Sequence, residues 1–452
     1  MAPPWGVRIG VVILGALSLA GYAVGVPQVA RAGFPAYVAL FVALFALYGA
    51  AAWLVLRRPA ADPVLTGVIL AFGLAFRLAV LPTPVFLSSD VYRYLWDGRV
   101  QRVGINPYRY PPAAEELRSL RDPVIYPQIN RPTKRTVYPP GTEALFGAVA
   151  AIAPDSLLAW RLVLVGCEVA TGVLLLRLLD RMRRPRAAAL LYAWAPLAVL
   201  EGAQAGHVEV ALVPVILLAL AWRQAGHLTR AGAALGVATL LKLYPAVLLV
   251  AWWRRGDRRL GAGWAAVVAA GYLAYGWGVG PRVVGFLPEY FGSAEDFNIG
   301  LRHFLTGWLP LEGVAREVVR GVTMVALGTA LVVVLARIAR RRSEEPAAIF
   351  RAGLAAAGAY LLLVPTAMHA WYALWIVPFL PVRPSPAWLW WSGAVSLSYL
   401  TYAWEGFPFW LRVLEFWPLY GLLLWEWWRW RRDASVPACG TGWRSGVASP
   451  VP

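Results

Sequence analysis

Charge is scarce in this chain. Only 15% of its 452 residues are Asp, Glu, Lys or Arg, against 60% hydrophobic, and the mean hydropathy is +0.58. No ordinary water-soluble domain has that composition, so a soluble enzyme is excluded. Lysine is almost missing, with Lys134 and Lys242 the two exceptions among 42 basic residues. Acids number 24, leaving a net charge of +18 that belongs first to loop topology and not to nucleic acid, for which no partner role is expected. The two cysteines, Cys167 in an apolar run and Cys439 in a polar stretch, provide neither a disulfide framework nor a metal site. Zinc signatures, a glycine-rich phosphate loop before a helix and a serine nucleophile elbow are also lacking. A nucleotide-sugar enzyme would need a soluble cytoplasmic domain, and the sequence offers none.

What the chain has instead is a series of apolar runs of helix-spanning length. They fall at about 7–26, 35–56, 63–81, 157–180, 186–202, 208–223, 260–281, 313–338, 346–365, 387–403 and 411–430. The first reads as an uncleaved span because so many follow it. Arginine clusters sit in short connections: Arg57 and Arg58, then Arg181 to Arg186, Arg254 to Arg259, Arg340 to Arg342, and Arg429 to Arg432. All share the cytoplasmic side if both termini are cytoplasmic and two segments are broken. One break lies in 231–253, where Pro245 removes a backbone donor and two half-helices meeting at Lys242–Pro245 return both basic flanks to one side. A second short piece covers about 369–381. The expectation is an all-α polytopic protein of the cytoplasmic (inner) membrane with roughly 11–14 membrane segments, one integral unit over 1–432 and a disordered polar tail over 433–452. Large outer connections fall at about 82–156 and 282–312.

The first outer loop is long enough to suggest function. Ser88 or Ser89 is placed to cap a helix whose polar stripe is Asp90, Arg93, Asp97 and Gln101, with Val91, Tyr92, Leu95, Trp96, Val100 and Val103 on the other side. Such a helix is expected in the membrane interface, with Tyr92 and Trp96 at headgroup level. Asp90 and Asp97 are seven residues apart, about 10.5 Å along a helix, too far to chelate one ion together. By spacing alone Asp90 serves as a favourable helix start and Asp97 as the i, i+4 partner of Arg93. Lys242 lies in an apolar run at a helix break, where an ammonium is either functional or reaches for the interface. His207, His303 and His369 fall at predicted outer edges, while His227 does not.

The runs SSDVYRYLWDGRVQRVGINPYRYPP, TVYPPGTEALF, QAGHVEVAL, KLYP and YFGSAEDFNIGLRHF resemble bacterial polytopic glycosyltransferases of the GT-C fold, nearest to the polyprenol-phosphate-mannose-dependent mannosyltransferases. The resemblance spans about 60–430. It implies a polyprenyl-phosphate sugar donor and a lipid-linked or cell-envelope glycan acceptor on the outer face. It further implies an inverting transfer with no tightly bound cofactor, a divalent cation being left open. The base maps to Asp90, with Asp97 as runner-up. Lys242, Arg302, His303 and Arg93 are candidates for the donor phosphate, and Tyr94, His207, Glu209, Tyr138 and His369 for holding substrate. No metal ligand is assigned. Where members of this type often carry Asn before the acid of the QAGHVE turn, this chain has Val208. Most of the 24 Trp read as membrane anchors, one or two being free to stack on a sugar. The rival reading is a transporter or flippase, which would place ionisable groups at midplane in repeated halves.

Overall fold

The computed structural model describes residues 5–57, 61–254, 256–292, 297–340, 343–404 and 406–435. The predicted tail over 433–452 lies outside the described residues apart from the end of the last helix, which runs to Ser435. Among the described residues there is no strand.

Helix α1 (Trp5–Ala20) passes through a π turn, Gly21–Gly25, into α2 (Val26–Ala32), and α3 (Phe34–Arg57) and α4 (Pro63–Val80) pack back on it. Asp62 starts α4 by accepting from the backbone of Val64 and Leu65 at 3.0 and 3.1 Å while pairing with Arg8. The connection between α4 and the next long helix then holds α5 (Asp90–Arg102) and α6 (Pro140–Ile152), packed on each other. After α7 (Leu157–Arg181), α8 (Leu190–Ala193) and the π segment Ala198–Gln204, the chain bends by 116° into α9 (Glu209–Gln224). Two half-helices follow, α10 (Leu228–Leu241) and α11 (Ala246–Trp252), then α12 (Arg258–Gly276) and the short α13 (Leu287–Gly292). Helices α14 (Gly313–Arg340), α15 (Pro346–Leu363), α16 (Pro386–Ala394) and α17 (Phe409–Ser435) complete the bundle, with 3₁₀ turns at Ala370–Trp375 and Val377–Phe379 between α15 and α16.

The broken segment behaves as its sequence indicates: α10 stops at Leu241, extended backbone at Lys242 turns the chain, and Pro245 precedes α11. Helix α10 is the centre of the bundle, packed on α6, α9 and α12. Its approach to α12 is so close that a Cβ on Gly232 would meet the Leu260 carbonyl, and one on Gly263 the Thr229 carbonyl. In contrast, α14 turns Val314, Val318, Val322, Val325 and Val332 outward, an apolar face suited to lipid.

Six described helices are long and apolar enough to cross a membrane, Trp5–Ala32, Phe34–Arg57, Pro63–Val80, Leu157–Arg181, Gly313–Arg340 and Pro346–Leu363, and the bent pair around 205–208 makes seven. The 11–14 expected segments include half-helices and broken pieces, and several apolar runs do not form one straight helix. Residues 186–204 wind through 3₁₀, α and π turns, and 386–402 is half α and half 3₁₀. A second difference concerns α5. It does not present a free apolar face: Val91, Arg93, Tyr94, Leu95, Trp96, Asp97, Gly98, Arg99 and Val100 are all buried, and Trp96 packs on Tyr126 of the following loop. The apolar α6, which the threading left inside the loop, covers it.

The basic connections gather at one end. Arg223 at the end of α9 donates to Asp257 and Glu344 at 2.9 and 3.0 Å, and Arg181 donates to the Ala221 carbonyl. Within the apolar layer, the buried Arg77 of α4 pairs with the buried Glu168 of α7, so neither charge faces lipid alone.

Candidate active site

At the end of the bundle away from those arginines, a cavity of about 440 Å³ opens where the α10–α11 turn, the start of α5, the 130–139 strip, the 286–290 segment and the 365–375 turn converge. Among the described residues that line it, Asp90 is the one carboxylate, facing Arg93, Arg131, Lys134, Arg135 and Lys242. The remaining wall is aromatic, with Tyr138, Tyr244, Tyr372, Trp371 and Trp375.

Asp90 opens α5, where the Ser88 hydroxyl, not Ser89, accepts from its backbone N–H at 3.2 Å. Its Oδ1 accepts from the Asn130 side-chain amide at 2.6 Å, and the carboxylate is half-buried. One turn on, Arg93 turns inward. Its Nε donates to both oxygens of Asp97 at 2.9 Å and its Nη1 to the Lys134 carbonyl at 3.1 Å. Its Nη2 is buried beside the cavity with no acceptor among the described residues. An arginine anchored on one edge with a donor left over is suited to an incoming anion.

Asp97 therefore does not line the cavity. It sits behind Arg93 with Thr136 and Glu143, the Thr136 hydroxyl donating to Glu143 at 2.6 Å. Burial pushes the Asp97 carboxyl up despite Arg93, and burial together with the Asp97 charge raises Glu143 well above the usual carboxylate range. Further out, Arg99 ties Asp122 and Asp155 together at 3.0 and 2.9 Å. Burial alone would raise Asp122, but Arg99 and the backbone N–H groups of Tyr126 and Ile125 outweigh it and hold it at about 2.

Lys242 reaches the cavity from the opposite side, pairing with the fully buried Glu209 at 2.8 Å. Its ammonium lies over the rings of Tyr138 at 5.1 Å and Tyr372 at 5.9 Å. Glu209 and Lys242 come from two different turns, and the pair fixes the bend before α9 against the break after α10. His207 is buried beneath the wall, its Nδ1 3.1 Å from the Glu201 carboxylate and its ring stacked on Trp371 at 4.0 Å. Trp371 stacks in turn on His369 at 4.3 Å, which lines the cavity and lies 4.8 Å from Phe297. Between those two rings burial pushes the His369 imidazole down to about 4, Asp90 only partly opposing it.

Of the residues singled out from sequence, the fold brings Asp90, Arg93, Tyr138, Lys242 and His369 to one cavity. Glu209 and His207 stand one layer behind, as does Tyr94, which is stacked on Phe146 and edge-on to Tyr138. The substitution of Val208 between His207 and Glu209 fits this withdrawn position, since Val208 is itself fully buried. Arg302 and His303 do not line the cavity: Arg302 is buried behind Thr366, donating to its carbonyl at 3.3 Å beside a separate space of about 100 Å³, and His303 packs near Phe304 and Phe409. Sequence reasoning passed over Asn130, Arg131, Arg135, Tyr244, Trp371, Tyr372 and Trp375. KLYP and HAWYALW carried the aromatic signal, but the contact from Asn130 to Asp90 spans 40 residues and left no local trace. Among the described residues no three His, Cys, Asp or Glu gather as a metal site.

Residues 136–365 match the sequence model of glycosyltransferase family 87. No curated protein and no solved structure matches the chain. The matched region covers just over half the chain and includes Tyr138, Glu209 and Lys242, whereas Asp90 and Arg93 precede it.

Proposed function

The chain belongs to glycosyltransferase family 87, and from that premise we propose that it moves a hexose, with mannose first, from a polyprenyl-phosphate carrier to a lipid-linked or envelope glycan acceptor at the outer face of the cytoplasmic membrane. One observation carries this reading: a single carboxylate, Asp90, shares a cavity with Arg93 and Lys242, at the end of the bundle away from the basic connections.

In the proposed step the Asp90 carboxylate takes the proton of the acceptor hydroxyl as its oxygen attacks the anomeric carbon. The bond from that carbon to the phosphate oxygen breaks, and its electron pair leaves with the polyprenyl phosphate. Attack from the face opposite the leaving group inverts the anomeric centre. Charge develops on the phosphate, and Arg93 Nη2 and the Lys242 ammonium are the donors positioned to offset it. Tyr372 and Trp375, stacked with centroids 5.0 Å apart, belong to an aromatic wall that offers a ring face or edge to the apolar side of a sugar. Asn130 orients Asp90, and Glu209 orients Lys242. A transporter reading lacks support from the family to which the chain belongs.

The test is transfer of label from radiolabelled polyprenyl-phosphate mannose to extracted envelope acceptors, in membranes carrying equal amounts of wild type or Asp90→Asn. Transfer by the wild type that disappears in the variant is expected. Transfer that survives the substitution would remove Asp90 from the mechanism, and none by either would reject this donor.

A further inference from the structure

A second, larger cavity of about 630 Å³ runs along α15, between α14, α15, α16 and α17, and opens among Arg254, Arg351 and Arg383. Its floor is one face of α15, where Ala348, Ala352, Ala355, Ala359 and Leu362 recur at three- and four-residue spacing. The small side chains leave a channel there that Ile338 and Leu423 wall on either side and Trp388, Trp427 and Trp430 border. From Ala348 to Leu362 that face runs about 21 Å at 1.5 Å per residue, more than the ~15 Å of half a hydrocarbon core.

The mouth of the channel is cationic. Arg351 is held loosely, 3.7 Å from Glu345, and Arg254 is occupied by the backbone carbonyls of Ala251, Trp253 and Ser343. Arg383 also lines it, and among the described residues its guanidinium has no carboxylate and no hydrogen-bond acceptor. The Glu426 carboxylate in the same lining accepts from the Ser385 hydroxyl and the Ala387 N–H at 2.8 and 3.0 Å, and Glu344 lies 3.9 Å from Arg254, so arginines outnumber the acid in the wall of the groove.

We propose that this groove binds an anionic phospholipid of the leaflet opposite the candidate active site, its phosphate on Arg383 and Arg351 and one acyl chain along the small-residue face of α15. The guanidinium fork matches a phosphate, and an apolar channel as long as one leaflet is deep matches an acyl chain. The choice of a diacyl lipid over a polyprenyl phosphate follows from that length, since the lining face of α15 runs from Ala348 to Leu362, the reach of one acyl chain.

The experiment is native mass spectrometry of the full chain released from detergent with palmitoyl-oleoyl phosphatidylglycerol, the matching phosphatidylcholine, or decaprenyl phosphate. The wild type should retain one phosphatidylglycerol in preference to phosphatidylcholine. Retention should fall about tenfold in R351Q/R383Q, be kept in R351K/R383K, and be lost in Ala355→Trp, which fills the floor without touching charge. Equal retention of the two diacyl lipids, or unchanged phosphatidylglycerol retention in R351Q/R383Q and Ala355→Trp, would overturn the proposal. So would a preference for decaprenyl phosphate that R351Q/R383Q removes. None of these readouts depends on glycosyl transfer, so the outcome is separate from that of the proposed reaction.

Discussion

Asp90 and Asp97 stand on one helix two turns apart, and the fold gives them opposite surroundings. Asp97 is locked against the Arg93 Nε, while Asp90 meets the cavity with one neutral hydrogen bond from Asn130. That bond aligns the carboxylate without neutralising it, so Asn130→Ala should lower kcat about tenfold with the donor KM unchanged, as steady-state kinetics would show. A rise in KM at constant kcat would assign Asn130 to binding instead. His369 offers a second test. Its folded value is depressed to about 4 from an ordinary 6.5, so the unfolded chain takes up more protons between those values, and stability should fall as pH drops from 6.5 to 4. Thermal unfolding in detergent should show a smaller acid-side fall for His369→Gln than for wild type. Spacing alone exposed the Arg93–Asp97 pair, because i, i+4 contacts are local. The partner of Asp90 was not legible, since a single side-chain contact across 40 residues depends on the tertiary path of the loop.

The break between α10 and α11 is the element that delivers Lys242. A lysine and a proline in an apolar run announced it, and the fold places the turn where the sequence suggests. What periodicity could not show is the support around it. Gly141 at the start of α6 lies so close to α10 that a Cβ would sit 2.9 Å from the Leu240 carbonyl, and the Thr142 hydroxyl donates to the Leu241 carbonyl. Gly141→Val should push the two helices apart, costing about 1–3 kcal/mol and weakening donor binding, both measurable by unfolding and by titration. The Lys242–Glu209 pair makes a sharper case. Lys242→Met leaves a fully buried carboxylate without its cation, at a cost of about 3–5 kcal/mol. The double variant Lys242→Met/Glu209→Gln should regain most of that stability in unfolding measurements, yet remain unable to transfer. Recovery of transfer would show that Lys242 serves structure only. The burial of α5 was not legible for a related reason: its alternation of polar and apolar residues fits packing between α6 and the following loop as well as it fits a lipid surface.

At the scale of the whole molecule, α15 touches both cavities, one at its C-terminal end and the other along its length. The first holds Asp90, Lys242 and an aromatic wall, and the second holds arginines and an apolar channel. Composition made the polytopic helical bundle legible, since lipid imposes long apolar runs and charge-poor walls. The number of straight spans was not legible, because hydropathy does not distinguish a straight helix from one broken by π and 3₁₀ turns. The proposed reaction divides labour between a base and a phosphate clamp, and that division is measurable. Donor affinity and single-turnover transfer should be determined side by side for wild type, Asp90→Asn and Lys242→Gln/Glu209→Gln with labelled polyprenyl-phosphate mannose. The expected result is wild-type donor affinity with at least ~100-fold slower transfer in Asp90→Asn, and weakened donor affinity in the double variant. Wild-type turnover by Asp90→Asn, or loss of donor binding from that substitution alone, would contradict the assignment of Asp90 as the base.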